Sequence, residues 1–490
     1  MEMGGFSISR DSDVPLYRQL ETSLRDALAA GAIPPGERLP AIQEMAVELH
    51  VSRNTVRRAF QNLAADGLLE GSAASGFRAR GPAHSPTPSP RQPEFNRPAV
   101  LEEIELGRLR APAYPQPLQP DFPDIEEFPL KCWESLRAQV LKQSAPDLLR
   151  HVEAAGYLPL REAIAVRLRE TRGVNCTAKQ VIVCAGAQQA LHLAIQTLLS
   201  PGGLVGMEEP GRYAVKAAFL HAGARVLPLL VDEEGMIAPE ARRQNPPVLM
   251  YVTPANQFPL GVKLSNARRS SLLEFARDTF TWILEDDSGG ELCYSGQPAS
   301  SLQGADGHGR VVYLGATGKT LFPSLEIAYL VVPPALLENF LKTKELLGAQ
   351  PCAIDQATLA QFILEGHLEA HVRRMNTLYY QRLQALAQSV DAELNEFIDP
   401  EQADGGLQAV GWLKRGIDEQ AVVQSASGAQ VDVRPLSSFG RTALLRPGVV
   451  FGFAGSSEKQ IAAAVKRFAR TLRGAARPNF LQRLVGRPQQ

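Results

Sequence analysis

The chain has 490 residues, 44% hydrophobic and 21% charged, with a formal net charge of −1, the balance of a soluble globular protein too long for one ordinary core. It has no apolar run near the roughly 18 residues of a membrane span, and its start, Met-Glu-Met-Gly-Gly, lacks the basic-then-apolar pattern of a secretion signal, so a cytoplasmic protein with no membrane partner is expected. Its five scattered cysteines, Cys132, Cys176, Cys184, Cys293 and Cys352, have neither disulfide-framework nor metal-ligand spacing.

The first predicted element, "PLYRQLETSLRDALAAG", puts Leu16, Leu20, Leu24 and Ala27 on one helical face and stops at Gly31. "PPGERLPAIQEMAVELH" supplies a turn and a short second helix. "VSRNTVRRAFQNLAADG" opens on Ser52, a good N-cap, carries Val56, Ala59, Phe60 and Leu63 as its buried stripe, and ends at Asp66-Gly67. "LLEGSAASGFRA" reads as two short strands about a small-residue tip. Three helices followed by a hairpin is the winged helix-turn-helix order. The outward face of the third helix carries Arg53, Asn54, Thr55, Arg57 and Arg58, residue types suited to base edges and phosphates at the start of a recognition helix. Residues 1–80 hold nine arginines against ten acidic residues, so the positive charge is concentrated at one helix end; a plain solvated helix face is the competing reading.

Residues 14–71, through "PLYRQL", "IPPGERLP", "VSRNTVRRAF" and "GLLE", resemble the GntR-type winged-helix head. The resemblance implies contact with double-stranded DNA by Arg38, Arg53, Asn54, Thr55 and Arg57. Gln43 stands where the family's second helix usually offers an arginine. Ser72 and Ala74 replace a basic residue and a glycine in the wing, which weakens its side-chain reading.

Residues 81–114 are expected to be a proline-rich linker: "GPAHSPTPSPRQPEFNRP" (81–98) has no apolar periodicity. From residue 115 to 475, apolar strands alternate with helical patterns, which predicts an α/β fold on a mostly parallel sheet. Candidate strands include "VIVCAG", "LVGMEE", "RVLPLLV", "VLMYVTP", "TWILEDD", "VVYLGA" and "IAYLVVP". "GAQQALHLAIQTLL" places small residues at a helix N-terminus, where free backbone N–H groups can hold a phosphate. Residues 476–490 read as a basic, solvated tail. "EDD" (Glu285 to Asp287) has no accompanying histidine, so no metal site is expected.

"AGYLPLREAIAVRL", "AGAQQALHLAIQTLL", "VTPANQFPLGV" and "YLGATGKTLFPSL" together resemble the fold-type I, pyridoxal phosphate-dependent aminotransferase domain. Joined to the head, they resemble the MocR/GabR-like regulators. The resemblance implies Lys319 at the Schiff-base position, Asp286 facing the pyridine nitrogen, and Gly186, Ala187 and Gln188 as the phosphate cradle. Most other positions depart from it: Ser288 for a tyrosine, Arg212 for the ring-stacking aromatic, Asn256 for a frequent histidine, Gly318 for a hydroxyl, His151 for the tyrosine lent by the partner subunit. Glu326 replaces the phosphate arginine and Val450 the carboxylate arginine. A carboxylate beside a phosphate dianion turns attraction into repulsion, about 4 kcal/mol per unit-charge interaction at 4 Å and a dielectric of 20.

The expectation is therefore a homodimeric DNA-binding regulator whose aminotransferase-like body serves dimerisation and effector sensing without pyridoxal phosphate chemistry. Lys319 is expected to pair with Asp286 or Glu326, and Arg212 to serve Glu326 and fill the emptied volume. The competing expectations are a regulator that senses pyridoxal phosphate at Lys319 and an active aminotransferase with a DNA-binding head.

Overall fold

The structure is a computed structural model that describes residues 14–72, 76–80, 115–239, 245–296, 298–440 and 446–485, without the side chains of residues 145 and 476–485. Ala74, the linker at 81–114 and the end of the tail lie outside the described residues. The chain forms two compact units, one before Pro98 and one after it.

In the first unit, helices α1 (Leu16–Ala29), α2 (Ile42–Glu48) and α3 (Arg53–Ala65) precede strands β1 (Leu69–Ser72) and β2 (Gly76–Ala79). The spacing of Leu20 and Leu24 on α1 and of Val56, Ala59, Phe60 and Leu63 on α3 turns all six inward. Phe77 of β2 meets Phe60 edge-to-face at 5.2 Å, closing the small core over the hairpin. Ser52 caps α3, its hydroxyl accepting from Thr55 N at 3.1 Å. The expected winged helix-turn-helix order is present.

The second unit is built on an eight-stranded sheet in the order β3-β10-β9-β8-β7-β4-β5-β6 among the described residues. Its strands are β3 (Val181–Ala185), β4 (Leu204–Glu209), β5 (Arg225–Asp232), β6 (Gly235–Met236), β7 (Leu249–Val252), β8 (Trp282–Asp286), β9 (Val311–Ala316) and β10 (Ile327–Val331). The run from β9 through β8, β7 and β4 to β5 is parallel; β10 and β6 oppose their neighbours. Alternate residues enter different cores: Ile182, Leu249, Tyr251, Leu284, Val312 and Leu314 on one face, Val183, Met250, Ile283 and Tyr313 on the other. Helices thus cover both faces, which explains why these strands read as continuous apolar runs.

A second, antiparallel sheet follows, β11 (Ile398–Pro400), β12 (Gln408–Leu413), β13 (Val433–Pro435) and β14 (Gly448–Gly452), in the order β11-β12-β14-β13. It packs against the long helices His367–Leu394 and Glu458–Val485. No described helix is long and apolar enough to cross a membrane.

Candidate functional site

In the head, Arg38, Gln43, Arg53, Asn54, Arg57 and Arg58 are exposed and Thr55 is half-buried. Asn54 accepts from Arg57 Nη1 at 3.3 Å, and Thr55 and Ser52 share a hydroxyl contact of 2.8 Å. Arg58 lies over the Tyr17 ring at 4.2 Å, so its guanidinium is partly committed to α1. Arg38 bridges the wing at Arg78, and its guanidinium lies against Gly76. Arg78 is a further exposed cation that sequence reasoning passed over; its signal was alternation within β2, where Phe77 and Ala79 point inward. Among the described residues, Arg38, Arg53 and Arg57 have no carboxylate partner. Arg25, by contrast, bonds Asp66 and pairs with Glu21 at 3.2 Å.

In the body, a cleft of about 350 Å³ opens at the carboxyl ends of the parallel strands, where such sheets place ligands. Lys319 enters from the turn after β9, Asp286 and Ser288 from the end of β8, and Arg212 from the loop after β4. Gly186, Ala187 and Gln188 begin the helix Gly186–Leu198, and their first-turn N–H groups lack intrahelical partners. The structure brings these residues together around one space. Asn256 sits slightly apart beside Gly406, its Oδ1 buried and without a hydrogen-bond partner among the described residues.

The charges are matched differently from the expectation. Lys319 pairs with neither Asp286 nor Glu326: its Nζ lies 2.8 Å from Asp121 Oδ1. Arg212 does not serve Glu326 either; it forks onto Asp121, with Nη1–Oδ2 at 2.7 Å and Nη2–Oδ1 at 3.2 Å. Phe258 supports that guanidinium from beneath at 4.0 Å. Because Arg212 is drawn toward Asp121, it does not fill the cleft, which stays open. Burial alone would raise the Asp121 pKa, but Arg212 and Lys319 outweigh it and hold that carboxyl well below the usual range. Burial, and next the Arg212 charge, lower the Lys319 pKa, with Asp121 pulling the other way.

Asp286 is also engaged. Tyr251 donates its hydroxyl to Oδ2 at 2.5 Å, and Ser288 donates its N–H (2.9 Å) and hydroxyl (2.5 Å) to Oδ1. Glu208, below the site, accepts from Thr253 N (2.9 Å), Thr253 Oγ1 (2.5 Å) and Gln257 Nε2 (3.3 Å). Burial pushes its carboxyl up to about 7 against those hydrogen bonds. Behind the site, Arg172 holds Asp287 in a bidentate pair, 2.7 and 2.8 Å, both side chains 1% exposed, and Tyr313 donates to the same carboxylate at 2.6 Å. The remaining acid of "EDD", Glu285, accepts the backbone N–H groups of Leu302 and Gln303 at 2.7 and 2.9 Å. Asp121 and Tyr251 were both missed from sequence: Asp121 lies in an irregular segment, and Tyr251 reads as one more core residue of β7.

The fold implies pyridoxal phosphate, and the phosphate end does not fit it. A Cβ added at Gly186 would collide with Glu326 Oε2, so a carboxylate already stands at the helix N-terminus that a phosphate dianion would occupy. At the ring end, Asp286 lines the cleft while it accepts from Tyr251 and Ser288. At the position of the substrate-carboxylate arginine, Val450 is buried in β14 opposite Val410.

Residues 16–78 match the family described as bacterial regulatory proteins, gntR family. Over 461 residues, 92% of each chain, this chain is 34% identical to the probable rhizopine catabolism regulatory protein MocR of Rhizobium meliloti. It is 28% identical over 440 residues, 90% of this chain and 92% of the other, to the HTH-type pyridoxine biosynthesis transcriptional regulator PdxR of Corynebacterium glutamicum. A multiple substrate aminotransferase from Thermococcus profundus superimposes with a TM-score of 0.68 at 26% identity, covering 78% of this chain and 95% of that one.

Proposed function

The chain belongs to the MocR-like, GntR-headed transcription regulators, and from that premise we propose that its aminotransferase-like body runs no pyridoxal phosphate chemistry. It is a DNA-binding regulator; the finer reading is that the body dimerises the protein and presents a cleft for an effector other than the cofactor. The observation that carries this reading is the carboxylate of Glu326 at the start of the Gly186–Leu198 helix. A phosphate there would meet like charge where the fold otherwise offers only N–H groups and a helix dipole.

DNA contact is assigned to Arg53, Asn54, Thr55 and Arg57 on α3, with Arg38 beside the wing. Fold-type I sites lie at a subunit interface, so the homodimer is expected to be built mainly by the body, and each dimer carries two heads for paired half-sites. Selection of genomic fragments by the purified protein tests the reading: it should recover a defined operator, and Lys319→Ala should bind that operator as wild type does. Loss of operator affinity in Lys319→Ala, with the fold intact, would contradict it. A monomer by sedimentation at micromolar concentration would contradict the dimer.

A second reading, a regulator that senses pyridoxal phosphate, is favoured by one observation. Lys319 faces an open cleft with its ammonium disfavoured by burial and by Arg212, a condition that also suits an amine nucleophile.

A further inference from the structure

Residues 117–124 run along the cleft as a strap fixed at both ends. At one end, Asp432 N donates to Pro117 O at 3.0 Å and Gly452 N to Leu118 O at 2.7 Å. At the other, Asp124 receives Arg382 Nη2 at 2.6 Å and takes the Tyr379 hydroxyl on its own N–H at 2.9 Å. Between these anchors, residues 120–123 make no backbone hydrogen bond among the described residues. Asp121 itself has φ +61, the left-handed region in which a side chain is tolerated but glycine is at ease. Apart from packing, the middle of the strap is held to the cleft by one carboxylate on two cations, Arg212 and Lys319.

We propose that Asp121 is an internal stand-in for the carboxylate of a small ligand, and that the cleft takes a monocarboxylate with a mostly apolar body, which displaces Asp121 from Arg212 and Lys319. The inference rests on the reading that Lys319 carries no cofactor. The two cations form the geometry a carboxylate needs: a guanidinium fork backed by Phe258 and an ammonium on the same oxygen. Leu191, Val215, Leu314 and Ile327 supply apolar wall, and about 350 Å³ is within the range of small-molecule pockets. Glu326 lines the same cleft and opposes a second negative charge, so dicarboxylates and phosphate esters are selected against. Displacement would free residues 119–123 from their side-chain tie.

The test is calorimetric titration of full-length protein with hexanoate. Removing the internal competitor in Asp121→Asn should tighten hexanoate binding at least about tenfold relative to wild type, and Arg212→Met in that background should abolish the gain. Glutarate and pyridoxal phosphate should bind Asp121→Asn at least about tenfold more weakly than hexanoate does. Asp121→Gly, which suits the positive φ, should reproduce the gain if the asparagine variant folds poorly. Equal hexanoate affinity in wild type and both variants, or no binding by any at millimolar concentration, overturns the proposal. Equal binding of glutarate overturns its charge selectivity. The absorbance of the same samples with pyridoxal phosphate separates the two readings. A Schiff base on Lys319 would defeat the underlying one, whereas unchanged hexanoate affinity without a Schiff base defeats only this inference.

Discussion

In the head, Arg38, Arg53 and Arg57 stand exposed with no carboxylate partner among the described residues, whereas in the cleft Arg212 and Lys319 already share Asp121. An unpaired surface cation can meet a DNA phosphate while losing only water and counterions. A matched cation must first give up its partner, so an anion gains in the cleft only the difference between two similar pairs. The two regions therefore offer opposite terms to anions. On the proposed reading, the head is open to any phosphate backbone and sharpens its choice through base edges, while the cleft admits a carboxylate by exchange and meets a phosphate with Glu326.

The largest effect that could break this comparison lies behind the cleft. Asp287→Ala would leave Arg172 buried and unpaired, and denaturant unfolding of the body should show a loss of about 3–5 kcal/mol. Asp121→Ala should cost less, because side-chain exposures of 27% for Asp121, 20% for Arg212 and 22% for Lys319, against 1% for Arg172 and Asp287, let solvent reach the two cations left behind. Equal costs would make Asp121 a structural ion pair, and the contrast between fixed and exchangeable matching would fail.

Next in size are the open cations. Arg53→Ala and Arg57→Ala should each weaken operator binding by about 1–3 kcal/mol where they contact a base edge, or lower the salt slope by about 1 where they contact phosphate. Neither should move the denaturation midpoint, since neither side chain is packed. Operator affinity and salt slope both unchanged would remove α3 as the recognition helix.

A further effect should appear with pH. Glu208 has its pKa raised from 4.5 to about 7 by burial, so the folded protein binds its proton more tightly than the unfolded chain does. That contribution is fully present below pH 4.5 and is lost as pH rises through about 7. Stability of the body should therefore decline over this window, and Glu208→Gln should flatten that part of the profile. An unchanged profile in the variant would assign the decline to another group.

The head was legible from sequence because its determinants are local. Ser52, the stripe Val56, Ala59, Phe60 and Leu63, and the stop at Asp66-Gly67 lie within two turns of what they control. The sheet strands were equally plain, since burial on both faces leaves continuous apolar runs. The placement of Lys319, Asp286 and Gly186 around one cleft was what the family resemblance implied. The partner of Lys319 was not legible. Asp121 comes from an irregular segment far away in the chain, and nothing in its neighbours' periodicity points it at Arg212. Sequence reasoning offered Lys319 the nearest carboxylates by family position, Asp286 and Glu326, but Asp286 is satisfied by Tyr251 and Ser288, and Glu326 stands over Gly186.

The central claim, that Lys319 does not carry pyridoxal phosphate in the working protein, is tested most directly by borohydride reduction at micromolar pyridoxal phosphate, followed by mass spectrometry of the Lys319 peptide. The account predicts an unmodified peptide and no Schiff-base absorbance before reduction. Stoichiometric reduced cofactor on Lys319 would contradict it and make this chain a pyridoxal phosphate-sensing regulator.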